Sequence, residues 1–319
     1  MWIADGWKEY EVLDCSEGEK LERWGKYILC RPDPQVIWNT EKRIPEWKKL
    51  NGHYHRSKAG GGEWEFHDLP QEWMIRYNMG GSSASGSNEE RQGETASAPR
   101  EQKDVLTFHL KPFAFKHTGL FPEQAVNWDW FYPLIKRAVG EGRKIRVLNL
   151  FAYTGGATLA AAAAGAEVTH VDASKGMVNW AKENATTSGL AEAPIRWLVD
   201  DCMKFVEREI RREKKYEAII MDPPSYGRGP KGELWKLEDL VFPLLQKCGE
   251  LLSDKPLFFL INSYTTGLQP AVLSYMLHEA VVQGNHPSAN VNAEEIGLPV
   301  KVNGLVLPCG ASGRVEFSY

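Results

Sequence analysis

A strand, helix, strand pattern of apolar and polar positions between residues 144 and 172 organises the chain. Residues 145–151 form an apolar run of strand length, and a second run, 168–171, ends on Asp172. The alanine-rich segment between them is a strong helix former, and Gly165 follows it as a C-cap glycine would. This pattern predicts the first βαβ unit of a doubly wound parallel sheet.

Alternating apolar runs and helical segments continue to the end of the chain. The predicted strands after residue 104 are 105–112, 145–151, 168–171, 195–199, 216–221 and 256–262, with an antiparallel closing pair from 291–296, 302–307 and 314–317. The predicted helices are 122–139, 156–164, 175–188, 203–215, 234–252 and 269–283. Their order predicts an α/β fold, a doubly wound Rossmann-like sheet with an antiparallel last strand.

The first third of the chain has a different pattern. Residues 1–78 contain short strand-like runs (10–14, 24–30, 53–56, 64–67, 73–77) separated by turns, and are rich in tryptophan. Residues 79–104 are rich in Gly, Ser and charge and poor in apolar side chains, which is typical of a flexible linker. We therefore predict an N-terminal β-rich module (1–78), a linker (79–104) and a larger α/β domain (105–319).

The amino-acid composition argues against several classes of protein. The net charge of −4 argues against a protein coated in nucleic acid, although a local basic patch stays open. Five cysteines form no CxxC motif and are odd in number, which favours reduced thiols in a cytoplasmic protein. The N-terminus lacks the pattern of a secretory signal, and no apolar stretch reaches the ~18 residues of a membrane span. We expect no membrane association.

Three histidines, His53, His55 and His67, lie on neighbouring predicted strands. A metal site is one interpretation, but no cysteine or acid completes the set at a recognisable spacing. Solvent-facing or hydrogen-bonded histidines are therefore favoured, and the sequence predicts no metal.

Acids and a glycine turn follow successive strands of the predicted sheet, at the edge where such sheets bind ligands. The turn Ala152 to Gly156 lacks the three spaced glycines of a dinucleotide site, so a smaller cationic nucleoside such as S-adenosylmethionine fits better. Asp172 is predicted to hold the ribose hydroxyls. Asp201, with the Cys202 backbone N–H, is predicted to hold the adenine edge, and N-capping of the following helix is the alternative to a ligand role for Asp200.

The tripeptide Asp222-Pro223-Pro224 follows the fourth strand. Two prolines remove two backbone donors and stiffen the turn, so exposed carbonyls beside a carboxylate can accept hydrogen bonds from a planar amino group. Tyr226 is the predicted stacking partner of a base. A rigid turn without a ligand is the alternative. The loop 115–121 is placed to cover the ligand, with plain core packing equally open for its aromatic residues.

The segments NLFAYTGGATLAAAAAGAEVTHVD, WLVDDCMKFV, YEAIIMDPPSYG and LINSYTTGL together resemble class I S-adenosylmethionine-dependent methyltransferases. More narrowly they resemble the bacterial large-subunit rRNA methyltransferases that act on cytosine C5 or guanine N7, and KHTGLFPEQAVNW resembles the element preceding their core. The resemblance covers residues 105–319. It implies a seven-stranded methyltransferase sheet, S-adenosylmethionine as cofactor and an RNA substrate.

The predicted site follows from the strand ends and this resemblance. The cofactor-binding residues are Phe115, His117, Thr118, Gln124, Asn149, Ala152, Tyr153, Thr154, Gly155, Asp172, Ala173, Ser174, Asp201, Cys202 and Asp222. The acceptor-binding, catalytic residues are Asp222, Pro223, Pro224 and Tyr226.

The chain differs at two positions from the methyltransferase branch that it resembles, and both differences bear on which atom accepts the methyl group. Its cytosine-C5 enzymes carry a nucleophilic cysteine after the fifth strand, where this chain has Asn262-Ser263-Tyr264. Ser225 stands where amino-methylating enzymes have an aromatic residue. Cys309 is predicted on an edge hairpin and Cys248 in a helix core. We predict methylation of an RNA base, rRNA favoured, at nitrogen; the alternatives are a protein or small-molecule acceptor, or a non-catalytic ribosome-assembly factor.

Overall fold

The computed structural model of the chain describes residues 1–57, 61–80, 104–113, 116–264, 268–283 and 288–318. Most of the predicted linker, residues 79–104, lies outside these ranges. The strands are β1 Trp2–Ile3, β2 Tyr10–Ser16, β3 Glu19–Trp24, β4 Tyr27–Pro32, β5 Gly52–Arg56, β6 Gly62–Phe66, β7 Trp73–Asn78, β8 Val105–Leu110, β9 Arg146–Leu150, β10 Glu167–Asp172, β11 Ile195–Val199, β12 Ala218–Met221, β13 Tyr226–Arg228, β14 Leu234–Lys236, β15 Phe258–Ser263, β16 Ala289–Pro299 and β17 Val306–Phe317.

The α-helices are α1 Ala125–Gly140, α2 Gly156–Ala163, α3 Lys175–Thr187, α4 Cys202–Arg211, α5 Leu237–Glu250 and α6 Pro270–Leu277. Short 3-10 helices span Pro45–Lys48 and Pro122–Gln124, and α6 continues as a π-helical turn, His278–Val282. In the described part of the chain, no helix combines the length and apolar character needed to cross a membrane.

One large mixed sheet confirms the predicted fold class. Its strand order is β1-β16-β17-β15-β12-β9-β10-β11. The strands β15, β12, β9, β10 and β11 are parallel, and β17 is antiparallel to both β15 and β16. The parallel strands are apolar along most of their length because helices cover both faces.

The large sheet has eight strands, one more than predicted, because β1 joins it. Trp2 pairs with Ile296 and Ile3 with Gly297, parallel to β16. The backbone N–H of Ala4 extends this contact by donating to the Gly297 carbonyl at 2.9 Å. The first residues of the chain, predicted as part of the N-terminal module, therefore form the edge of the α/β sheet.

The remaining N-terminal strands form a five-stranded sheet, β2-β3-β4-β5-β6, and a separate pair, β7-β8. The predicted single strand at 24–30 is wrong. Gly25 adopts a left-handed φ of 65°, which reverses the chain and separates β3 from β4. The β7-β8 pair joins a strand on each side of the predicted linker, in the register Asn78 to Val105.

An aromatic cluster packs the N-terminal strands onto the α/β part. The Trp7 ring lies 4.5 Å from Tyr77 and 6.2 Å from Trp128 on α1, and Phe108 lies 5.5 Å from Trp128, all between ring centroids. Trp7 Nε1 also donates to the Pro122 carbonyl at 2.8 Å. All four rings are buried. One continuous apolar core therefore extends across the predicted domain boundary.

Candidate active site

A cavity of about 680 Å³ lies at the carboxyl ends of β9, β10, β11 and β12. This is the edge at which doubly wound sheets bind ligands, and the volume suits a nucleoside-sized molecule. The predicted site residues that line it are His117, Tyr153, Asp172, Ala173, Ser174, Asp201, Cys202, Asp222, Pro223 and Pro224.

Asp172, the last residue of β10, is held rigidly by the backbone. Its Oδ2 accepts from the Tyr153 N–H at 2.9 Å, and its Oδ1 accepts from the Ser174 N–H at 2.8 Å. Burial raises the pKa of this carboxyl above its ordinary value, against those two hydrogen bonds. Each carboxylate oxygen has a second lone pair. The cavity-facing carboxylate can therefore accept hydrogen bonds from two neighbouring hydroxyl groups, such as those of a ribose.

Asp201 and Cys202 begin α4 at the neighbouring wall. Asp201 is the N-cap, since its Oδ1 accepts from the Lys204 N–H at 2.9 Å. The alternative interpretation of Asp200 as the N-cap of this helix is therefore wrong. Asp200 instead forms an ion pair with Arg208 and accepts from the Asp201 N–H. The N–H groups of a helix's first turn have no intrahelical acceptor, so this wall offers a donor beside the Asp201 carboxylate.

Asp222 has a buried oxygen without a partner. Its Oδ1 is enclosed and accepts no hydrogen bond within the described residues. Burial, reinforced by the nearby Glu123 carboxyl, raises the pKa of Asp222 to about 7. A buried polar atom without a partner is costly, so this oxygen marks a position where a ligand's donor belongs.

The two prolines after Asp222 are not equivalent. Pro223 is buried, whereas Pro224 is exposed and its carbonyl accepts from Trp235 Nε1 at 2.6 Å. One carbonyl of the predicted acceptor-binding turn is therefore occupied by the protein. Trp235 lies on β14, in a hairpin that the sequence pattern did not predict, and its ring is 4.8 Å from Phe151.

Tyr226 is not brought to the cavity. It lies on β13 with 56% of its surface exposed and does not line the site. Aromatic residues that do line it include Phe121, Phe151, Tyr153, Trp235 and Tyr264. The stacking role predicted for Tyr226 remains a prediction, and Trp235 is the residue that sequence spacing missed.

Other predicted residues lie behind the main cavity. Gln124, Asn149, Ala152 and Thr154 line a smaller adjoining cavity, which also reaches Tyr153 and Asp222. Asn149 Nδ2 donates to Thr158 Oγ1 at 2.9 Å, and Thr154 Oγ1 donates to the Gly119 carbonyl at 2.6 Å.

Two predicted cofactor-binding residues of the described part of the chain, Thr118 and Gly155, line neither cavity. Thr118 is buried and Gly155 holds a φ of 88° in the turn, where a side chain would be strained. Phe115 lies outside the described residues. The glycine after this turn, Gly156, serves packing, because a Cβ there would lie 2.6 Å from the Trp128 ring.

The N-terminal module supplies a wall of the cavity that the sequence did not reveal. Its contributions are Lys20, Arg31, Asp33, Pro34 and Gln35. Arg31 is buried and donates from Nε and Nη2 to Glu22 at 2.7 and 2.8 Å. Residue alternation places Lys20 and Glu22 on one face of β3, but it does not reveal that this face packs against the strand ends of the other sheet.

Lys116 joins the basic wall from the covering loop. Its Nζ donates to the Pro32 carbonyl at 2.9 Å, and its carbonyl accepts from Arg31 Nη1 at 2.8 Å. Burial, with the neighbouring Lys20 charge, lowers the pKa of Lys116 to about 8. Burial also lowers the pKa of His117, to about 4, so its imidazole is neutral at pH 7. The wall therefore carries three basic side chains, two of them paired with Glu22 and Asp33, and one uncharged imidazole.

Cys309 requires a correction. It was predicted on an edge hairpin, but it lies in β17, which is an inner strand of the sheet, and it lines the cavity near Tyr264. Burial raises the pKa of its thiol well above the ordinary value. Cys248 is buried in α5, as predicted.

The fold and this cavity are those of an α/β protein with a nucleoside-sized cavity at the ends of four parallel strands. A sequence model of the S-adenosylmethionine-dependent methyltransferase family matches residues 87–273, more than half of the chain. The chain belongs to this family.

Solved structures agree. A SAM-dependent methyltransferase from Agrobacterium tumefaciens is 34% identical with a TM-score of 0.82, covering 98% of this chain and 91% of that one. A methyltransferase from Streptococcus mutans, at 14% identity and a TM-score of 0.69, covers 98% of this chain and 76% of its own, and shows a shared fold.

Curated relatives are ribosomal RNA large subunit methyltransferases K/L. The Shewanella frigidimarina protein is 37% identical over 40% of this chain, and the Cellvibrio japonicus protein is 32% identical over 50%. The chain spans only 17% and 19% of the length of these two relatives.

S-adenosylmethionine, the cofactor of this family, fits the donor and acceptor set of the cavity. The unpartnered Asp222 oxygen, the spare acceptor positions of Asp172 and the free N–H groups at the start of α4 all match polar groups of a nucleoside. When bound, the cofactor supplies a methyl group already activated by a sulfonium. The protein's task is then to position the donor and the acceptor.

Proposed function

We propose that this enzyme methylates a nitrogen of an RNA base, in ribosomal RNA, in the cytoplasm. The observation that carries the proposal is the buried Asp222 carboxyl, unpartnered at Oδ1 and followed by Pro223 and Pro224 at the cavity wall. A carboxylate and a carbonyl side by side accept hydrogen bonds from a planar amino or ring N–H group. The names of the curated relatives support RNA as the acceptor.

The pKa of Asp222 supports a nitrogen acceptor. Methylation of an amino group releases a proton, which a carboxyl with a pKa of about 7 accepts near neutral pH. Glu123 lines the same cavity, and its pKa is also raised by burial. It is placed to share or pass on that proton.

The state of the cysteines supports nitrogen over cytosine C5. A C5 mechanism needs a thiolate that adds to the ring. Cys309 and Cys202 line the cavity, but burial raises the pKa of each thiol well above its ordinary value. Both are protonated at neutral pH and are weak nucleophiles.

The basic wall supports a phosphate-bearing acceptor. Lys20, Arg31 and Lys116 line the cavity. Arg31 is paired with Glu22 and Lys20 with Asp33, which leaves Lys116 as the basic side chain of this wall without a carboxylate partner among the described residues. RNA binding to this wall should weaken as salt increases, because phosphate contacts release counterions.

The test is methyl transfer from radiolabelled S-adenosylmethionine to rRNA isolated from cells that lack this protein. We expect label in one nucleoside, identified by mass spectrometry as an N-methylated base, and none with Asp222→Asn. Label at C5 of cytosine would overturn the nitrogen assignment. Absence of label in rRNA, with cofactor binding intact, would overturn the RNA assignment.

A small-molecule acceptor is the second candidate, and one observation favours it. Residues of the N-terminal module add a further wall to the cavity at the strand ends, so that an acceptor of small size could be held between the two. Transfer of label to a cell extract of small metabolites, but not to RNA, would establish this alternative.

A further inference from the structure

A row of potential metal ligands crosses three neighbouring strands of the N-terminal sheet. Cys30 on β4 pairs directly with His53 on β5, and His53 pairs with Glu65 on β6. Directly paired residues project from the same side of a sheet. The residues are far apart in sequence, which is why their spacing along the chain gave no signal.

Glu19 completes a compact group with Cys30 and His53. The ligand atoms of the three side chains all lie within 4.8 Å of one another. His53 Nε2 is 2.6 Å from Glu19 Oε1, while Lys42 Nζ holds the second carboxylate oxygen, Oε2, at 3.0 Å. The Cys30 side chain is fully buried beneath the other two.

We propose that Glu19, Cys30 and His53 bind a divalent cation of the zinc type. A thiolate, an imidazole and a carboxylate are the ligands zinc takes in proteins, with bonds of about 2.0–2.3 Å, so two ligand atoms on one ion lie within about 4.6 Å. The cation takes the place of the proton shared by His53 and Glu19. Solvent fills its fourth position.

The residues around the three proposed ligands also fit a zinc site, because they hold the ligands by hydrogen bonds. Lys42 stays on the outer oxygen of Glu19 and orients the carboxylate, as hydrogen-bonded partners do for metal ligands. Binding releases the proton of the Cys30 thiol to solvent, forming the sulfur–metal bond without any change of oxidation state.

A second group of ligands adjoins the first. The His53 and His55 rings are 3.9 Å apart between centroids, and Glu65 Oε2 and Oε1 contact His55 and His67 at 2.7 and 2.9 Å. These side chains are about half exposed and contain no thiol. The buried thiol favours the inner group as the ion site and gives it a spectroscopic signature.

The position suggests what the ion does. Residues alternate along a strand, so Lys20 and Arg31 project from the faces of β3 and β4 opposite to Glu19 and Cys30. Lys20 and Arg31 line the cavity. An ion joining β3, β4 and β5 therefore fixes the strands that form the acceptor wall, from behind it.

The test uses the full chain without an affinity tag, stripped of metal by chelator and titrated with Co²⁺. We expect tetrahedral d–d bands and a near-ultraviolet thiolate-to-cobalt band, both displaced by Zn²⁺. Zinc at about 100 times Kd should raise Tm by about 5 °C. His53→Gln should weaken binding by more than about 100-fold, and Cys30→Ser should abolish the thiolate band.

Two controls keep the result interpretable. Cys248→Ser removes another buried thiol and should leave the thiolate band and Kd unchanged, as should His67→Gln in the outer group. If Cys30→Ser fails to fold, the more exposed His53→Gln carries the test. Absence of cobalt bands and of a zinc-dependent Tm shift would overturn the proposal. So would binding without a thiolate band that depends on His55 rather than His53.

Discussion

At the scale of single residues, the site is governed by carboxyl groups held away from water. Asp222 has an enclosed oxygen with no partner, and Asp172 accepts two backbone hydrogen bonds yet still has a raised pKa. A protein maintains such unfavourable groups where a ligand or a proton completes them. We expect substitution of Asp222 to affect mainly the rate of methyl transfer, and substitution of Asp172 to affect mainly the binding of the cofactor.

Asp222→Asn is expected to reduce methyl transfer by at least about 100-fold, the range typical of a lost general base, measured at saturating cofactor so that any change in cofactor Kd does not affect the rate. In the wild type the transfer rate should rise between pH 6 and 8 with a midpoint near 7, because the carboxyl must be ionised to accept a proton. Initial rates across pH for both proteins check this. A wild-type profile that is flat across this range would contradict the role.

The same substitution has a stability signature of defined sign. The folded pKa of Asp222, about 7, lies above its ordinary value of 3.8. The folded state therefore binds more protons between these pH values, and this group's contribution to stability is lost as pH rises through 7. Asp222→Asn should unfold about 2 °C or more above the wild type at pH 8, and show no such gain at pH 4.

Asp172→Ala is expected to weaken binding of S-adenosylmethionine by about tenfold or more, since hydrogen bonds to a charged group are worth about 1.5–3 kcal/mol each. Calorimetric titration measures it. Asp172→Asn is the matched control, because one side-chain oxygen remains to hold the Tyr153 or Ser174 N–H. An unchanged Kd in the alanine variant would reject the assignment.

Cys309→Ser is expected to retain methyl transfer even though the thiol lines the cavity. Its raised pKa keeps it protonated, so it contributes packing rather than a nucleophile. The check is the transfer rate together with a trapping experiment using RNA containing 5-fluorocytosine. Loss of activity with cofactor binding intact, or a covalent RNA adduct in the wild type, would restore the C5 mechanism.

At the scale of secondary-structure elements, the periodicity of the sequence predicted those helices and strands that form because of their local sequence. The unit β9, α2, β10 and the strand β11 follow from apolar runs and their end signals, and the structure has them at nearly the predicted bounds. Long helices were overextended at their ends. Helix α4 stops at Arg211, because Glu213 takes a left-handed φ of 53° that reverses the chain.

The elements that sequence reasoning missed depend on distant contacts. The two residues of β1 become a strand only because β16 offers them an edge. The hairpin β13-β14 has three residues in each strand, too few for a recognisable alternation. The basic wall of the cavity was likewise invisible, since the packing of a separate sheet brings Lys20 and Arg31 to the strand ends.

The hairpin β13-β14 is anchored by Trp235, which leads to a paired prediction. Trp235→Phe removes the hydrogen bond to the Pro224 carbonyl while keeping a ring beside Phe151, and should cost about 1 kcal/mol of unfolding free energy. Trp235→Ala should cost about 3–5 kcal/mol. Chemical denaturation measures both. Equal losses in the two variants would show that the hydrogen bond, not the ring, holds the hairpin.

At the scale of the whole molecule, the N-terminal strands and the α/β part behave as one folding unit. Trp7 and Tyr77 pack on Trp128 of α1, and β7 pairs with β8. The cavity itself needs both parts, because its basic wall comes from β3 and β4. The boundaries predicted from composition divide the sequence, whereas the core crosses them.

The full chain is therefore expected to unfold in a single calorimetric transition, and a fragment of residues 105–319 should be much less stable than the whole. Removing residues 1–104 deletes β1 and β7, which exposes the edge of β16 and the apolar surfaces of Phe108 and Trp128. Burial of aromatic side chains of this size is worth several kcal/mol.

The control for the 105–319 fragment is a full-length variant in which only residues 82–102 are replaced by a short Gly-Ser linker. The described residues that flank this segment lie together, since Asn78 pairs with Val105 and the Met79 N–H donates to the Asp104 carbonyl at 2.8 Å. This variant should keep the wild-type Tm and cofactor Kd, because closing a shorter loop costs little. Two separate unfolding transitions, or a 105–319 fragment with wild-type Tm and Kd, would show instead that the two parts fold independently.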